Sequence, residues 1–148
     1  MIKYLRFLFA AFLSIIAPIS KAEINSNTVS YIDYVDEANK LYKSGQYSLA
    51  LEAVNKAIHL DSDNSLLYNL KGIILCRSDH ANLGLEAFNK AIELNPNDLS
   101  FYSNKGMALA QLGKYDLALE VINKALELDP KNSDAQRVKR LLIQKLGN

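Results

Sequence analysis

The chain has 148 residues, enough for one domain, and 49% of them are hydrophobic. Its 17 basic and 16 acidic side chains leave a formal net charge of +1, which argues against a nucleic-acid footprint, since that needs a clustered basic face. A single cysteine excludes an intrachain disulfide and any zinc-ligand spacing. His59 and His80 stand far apart without further ligands in a recognisable pattern, so they read as ordinary surface or packing residues and no metal is expected.

The chain opens on a stretch with the features of a secretory signal peptide, Met1–Ala22. Lys3 and Arg6 give a basic start, Phe7–Ala17 is apolar except for Ser14, and Pro18 ends the run. Ser20-Lys21-Ala22 places small residues at the two positions that a signal peptidase reads. The apolar core falls short of the roughly 20 residues a membrane-spanning helix needs. Export is therefore expected, to the periplasm or beyond the cell, with an uncleaved N-terminal anchor as the alternative. No cysteine lies near this segment, which rules out lipoprotein processing. Residues 23–30 are polar and are expected to form a mobile leader.

From Tyr31 onward the sequence repeats. Leu51-Glu52-Ala53-Val54-Asn55-Lys56-Ala57-Ile58 returns as Leu85–Ile92 and again as Leu119–Leu126, with a step of 34 each time. A fixed period of this size marks a solenoid of stacked supersecondary units. Three blocks, 31–64, 65–98 and 99–132, align without gaps. Each predicts two amphipathic helices: Tyr31–Lys43 with Ser48–Leu60, Leu66–Arg77 with Asn82–Leu94, and Phe101–Leu112 with Asp116–Leu128.

Small residues recur where the helices of a pair must approach: Ala38, Gly72 and Gly106 in the first helices, Ala50, Gly84 and Ala118 in the second. A glycine inside a helix costs about 1 kcal/mol relative to alanine, so its recurrence there implies a packing reason. Gly45 and Gly113 follow the first helices, where a left-handed residue closes the turn, and Tyr47 and Tyr115 come two residues later. Pro96 and Pro130 follow the second helices, which they cannot continue.

Small residue, glycine, tyrosine, alanine and proline, in this order over 34 residues, resemble the tetratricopeptide repeat over the whole of 31–132. The departures are tyrosine (Tyr34, Tyr68, Tyr102) in place of the leading tryptophan, Asp79 in place of glycine, Ala81 in place of tyrosine and Ser62 in place of proline. They make the 78–82 turn the expected soft spot. The resemblance implies an all-α fold, a right-handed superhelical solenoid.

The second helices carry an apolar stripe on one side and Glu52–Lys56, Glu86–Lys90 and Glu120–Lys124 on the other, each an i,i+4 pair expected on a solvated convex face. Ser133–Leu146 reads as a last helix. Ala135, Val138, Leu142 and Leu146 form its stripe, expected to cover Leu117 and Val121, and Arg137, Lys139, Arg140 and Lys145 occupy much of its outer side. The competing reading is a basic amphipathic segment that touches a membrane.

The resemblance also implies that the first helices line the concave surface, and helical spacing then selects its residues. The first block offers Val35, Asn39, Tyr42 and Lys43, the second Asn69, Ile73 and Arg77, and the third Ser103, Met107 and Gln111. Ile32, Leu66, Cys76, Ser100 and Ala110 share these rows, and the last helix adds Arg137, Leu141 and Gln144. Ile32 and Leu66 read equally as core between repeats, and Cys76 as a small buried hydrophobe. The alternative for Cys76 is a thiol that pairs with another chain. Val35, Leu66, Ile73 and Met107 give an apolar floor, Asn39 and Asn69 can bond a peptide backbone, and Lys43 and Arg77 can meet an acidic group.

In related repeats that hold the C-terminal carboxylate of heat-shock chaperones, the clamp positions map onto Val35, Asn39, Leu70, Ser100 and Asn104, where only Asn39 fits. No paired carboxylates, nucleophile with base, phosphate loop or metal cluster is legible, so neither an enzyme nor a cofactor is expected. The sequence therefore points to an exported protein-interaction scaffold that binds a peptide segment of an envelope or secretion assembly. The alternative is a self-associating solenoid, a homo-oligomer.

Overall fold

The computed structural model describes residues 23–147. The signal segment expected over Met1–Ala22 lies outside them. The described residues form seven helices: α1 Glu23–Lys43, α2 Tyr47–Leu60, α3 Ser65–Arg77, α4 Ala81–Leu94, α5 Leu99–Gln111, α6 Tyr115–Leu128 and α7 Ser133–Leu146. Each packs on the next, most extensively within the pairs α1–α2, α3–α4 and α5–α6. In addition α3 meets α5 and α5 meets α7, whereas the second helices α2, α4 and α6 show no comparable approach to one another. The first helices thus form the tighter, inner layer of a curved stack, and the second helices splay on its outside.

The close approach within a pair has a steric cause. A Cβ on Gly72 would lie 2.6 Å from the Phe88 ring, and one on Gly106 would lie 2.7 Å from Cδ1 of Ile122. Phe88, Ile122 and Val54 are fully buried, each opposite the small residue of its partner helix. Between repeats, Leu67 and Ile74 of α3 join the core that contains Ala50, Val54 and Ala57 of α2. Ala135 and Leu142 of α7 close the far end against Ala118, Ile122 and Ala125. The closing helix leaves Leu117 half exposed, contrary to expectation, and takes Val121 into its packing instead.

The turns repeat as faithfully as the cores. Backbone N–H groups of Gln46, His80 and Lys114 donate to the carbonyls of Leu41, Leu75 and Leu109 at 2.9 Å in all three turns. This six-to-one bond satisfies a carbonyl that the helix end leaves free. It needs one left-handed residue, supplied by Gly45 (φ 75°), Gly113 (φ 73°) and, in the middle turn, Asp79 (φ 64°). The other ends are capped in register too: side-chain oxygens of Asn64, Asp98 and Asn132 accept from the N–H of Leu66, Ser100 and Ala135.

Two local expectations fail. Helix α1 starts at Glu23 rather than Tyr31, so residues 23–30, expected as a mobile leader, are helical. They contain neither proline nor glycine, and a helix nucleated over its packed turns extends cheaply along such a sequence. The expected Glu–Lys pairs of the outer face also do not form. Lys90 and Lys124 bond forward to Glu93 and Glu127 at 2.9 Å instead, and these hydrogen bonds raise both lysine pKa values. The first repeat has His59 at that position, and its Lys56 lies over the Tyr34 ring, 5.4 Å from the centroid.

Candidate functional site

The inner layer leaves a groove whose floor is built by α3, α5 and α7. One section, a recess of about 430 Å³, brings together Tyr42, Ile73, Arg77, Met107 and Gln111 of the sequence-derived set, with Cys76, Asn104 and Phe88. The adjoining section, about 310 Å³, is lined by Ser103 and Met107, with Asn104 again and Arg137 from α7. Met107 is shared between the two sections and is 50% exposed, so a long unbranched side chain stands at the centre of the groove.

The remaining candidates sit apart. Val35 packs at the edge of the first core and lines neither section. The Asn39 side-chain amide donates to the Val35 carbonyl at 2.9 Å, within its own helix. Lys43 is exposed at the end of α1. Asn69 joins the groove through Asn104, whose amide donates to Asn69 Oδ1 at 2.8 Å. That bond spends part of the capacity that Asn69 has for a peptide backbone.

Ile32 and Leu66, weighed as core, are 51% and 60% exposed. Position follows from register: Leu66 lies in the first turn of α3, Ile32 stands one repeat earlier on α1, and both are left uncovered. Leu141 of α7 is 52% exposed and falls in the same row as Ile73 and Met107, one repeat further on. The floor is thus a largely exposed aliphatic strip, edged by the exposed cation Arg77, with Lys43 exposed at the end of α1. Neither cation forms an ion pair with an acid among the described residues.

Cys76 is half-buried in the first section. Its thiol fills the space above Gly84, where a Cβ would lie 2.6 Å from Sγ, and burial raises its pKa above the ordinary thiol value. The backbone carbonyl of Cys76 accepts from Gln111 at 3.3 Å, tying α3 to α5. A thiol whose pKa is raised by burial suits packing better than nucleophilic chemistry.

Asn104 and Phe88 were not among the sequence candidates. Asn104 lies one residue beyond the row that holds Asn69, and only the side-chain bond between α3 and α5 turns it into the groove. Phe88 belongs to α4, an outer helix, and reaches the groove because Gly72 leaves room for its ring. The signal was present in the pairing of a helix-interior glycine with the largest residue of the facing row. A further recess of about 500 Å³ opens on the outer side of the first repeat, between Tyr34, Glu52, Lys56 and His59. Lys56 leans across it onto the Tyr34 ring, so it offers less continuous apolar surface than the groove.

A sequence profile of the tetratricopeptide repeat matches residues 100–132. No curated protein matches the chain. Among solved structures, the first such domain of human RPAP3 is 26% identical, with 79% of this chain and 92% of that one aligned at a TM-score of 0.75. The first such domain of Spaghetti (RPAP3), bound to the HSP90 peptide SRMEEVD, is also 26% identical, over 80% of this chain and 94% of that one, with a TM-score of 0.74. The OM64 domain of Arabidopsis is 22% identical over 80% and 98%, with a TM-score of 0.74, a likeness of fold.

Proposed function

Starting from a tetratricopeptide repeat solenoid, we propose that the chain is a non-catalytic scaffold that holds a peptide segment of a partner protein in its inner groove. The observation that carries this reading is the aliphatic strip of the exposed Leu66, Met107 and Leu141 and the half-buried Ile73, with Arg77 beside it. Leaving such side chains in water costs about 25 cal/mol per Å² of apolar surface that a ligand would cover. This cation favours a segment with acidic side chains next to its apolar anchors.

The Spaghetti domain holds an HSP90 peptide, which supports a peptide in this groove as well. The manner of holding differs. At the positions that clamp a terminal carboxylate in the chaperone-binding domains, this chain has Val35, Leu70 and Ser100, none of them basic. The segment is therefore gripped along its length rather than by its end. Given the signal-like N-terminal sequence, we place the protein outside the cytoplasm, where its partner is a component of an envelope or secretion assembly.

The test is photo-crosslinking in the native cell from a probe at Ile73, with a control probe at Glu86 on the outer face. A partner captured from Ile73 alone, and lost when Met107→Glu is added, supports the groove. Equal capture from both probes, or from neither, overturns it.

A further inference from the structure

The two ends of the stack are finished in opposite ways. On α3, α5 and α7, one face is buried against the preceding repeat: Leu67 and Ile74, Phe101 and Ala108, Ala135 and Leu142. The same rows on α1 hold Asp33 and Lys40, both exposed, with the exposed Asp36 and Glu37 beside them. The leading face thus carries three acids and one lysine, where the buried rows of the later copies are apolar.

At the other end, α7 stands in the register of a first helix, and no second helix packs on it among the described residues. The row that admits the second helix is Ala38, Gly72 and Gly106 in the three repeats, and Arg140 on α7. The row of Leu41, Leu75 and Leu109 continues as Ile143, which is 51% exposed where Leu75 and Leu109 are buried. Lys139 lies next to Arg140. The trailing face is basic, and Ile143 supplies an uncovered apolar centre.

We propose that the acidic leading face of one molecule docks on the basic trailing face of a second copy, so that the solenoids associate head to tail. Charge selects this arrangement. Two leading faces, or two trailing faces, would set like charges against each other, whereas leading on trailing pairs Asp33 and Asp36 with Lys139 and Arg140. A heterologous contact of this kind leaves one free face at each end, so it propagates into a row rather than closing as a dimer. The groove residues lie on another side of the helices and stay open, so each added copy lengthens the inner surface. This contact and the peptide in the groove rest on different residues, and either stands if the other fails.

The experiment is sedimentation velocity of the purified chain over a concentration series at about 0.1 M and about 1 M salt, where the Debye length falls from about 10 Å to about 3 Å. The average mass should rise with concentration in low salt, and the association should weaken at least about tenfold in high salt. Two blocked variants then test polarity: Arg140→Ser with Ile143→Ser, and Asp33→Ser with Asp36→Ser. All four positions are exposed, so folding is spared. Each variant alone should remain a single chain, and an equal mixture should stop at a complex of two.

Two results overturn the proposal: a wild-type chain that stays monomeric throughout the series, with an α7 face that binds vesicles of anionic lipid instead or with no binding at all, or a blocked variant that still pairs with itself.

Discussion

The second repeat reaches the same geometry as the first and third with different residues, at two places. At the helix crossing, the first repeat sets Ala38 and Val54 into one buried cluster. The second sets Gly72 under Phe88, and the third sets Gly106 under Ile122. Bulk has moved from one helix to the other while the space stays filled, as close-packed interiors demand. At the turn the exchange is less even. Gly45 and Gly113 take positive φ without penalty, while Asp79 takes it with a Cβ. A non-glycine residue there costs roughly 1–2 kcal/mol, somewhat less for aspartate. The crossing shows compensation between two side chains. The turn shows a cost that no neighbour offsets.

The severest way to break the comparison is Gly106→Leu. With Ile122 atoms already 2.7 Å from the first added carbon, the helices must part, and the midpoint of thermal unfolding should fall in line with a loss of about 3 kcal/mol. Gly72→Ala should cost about 1–2 kcal/mol for the same reason. Placed in a Phe88→Val background it should cost much less, because the middle crossing then copies the first. A double-mutant cycle in urea reads this coupling, and strict additivity would show that the crossing pairs are independent. Asn132→Ala removes the cap of α7 and should cost about 1 kcal/mol in the same assay. The smallest effect is a gain: Asp79→Gly should stabilise by about 0.5–1 kcal/mol, whereas Gly113→Ala should lose a similar amount.

The regularities of the fold were open to sequence reading because each is a local demand repeated three times. Glycine in mid-helix signals a close crossing, glycine after the helix signals a left-handed turn, and proline after the second helix signals a stop. The caps Asn64, Asp98 and Asn132 repeat with the same step of 34 and were legible in principle, but their side-chain bonds were not anticipated. The groove was harder to read, because its floor depends on which neighbours reach a residue. Leu66 carries the same pattern as a core leucine, yet it is left exposed in the first turn of α3. Lys90 had Glu86 behind it and Glu93 ahead, both at helical spacing, and sequence alone gives no reason to choose. Asn104 enters through one bond to Asn69, which a periodicity argument cannot see.

The in-register caps carry a consequence for the gene. The second and third repeats each begin directly after a polar cap and end with the next one, so the seams between repeats fall outside every helix. Excising 65–98 would place Asn64 immediately before Leu99, where it can cap α5 as Asp98 does, and would bring the apolar face of α5 onto α2. Duplicating the same segment would be equally seamless. The number of repeats can therefore change in whole steps without repairing a junction, and reach becomes a quantity that duplication and deletion can tune.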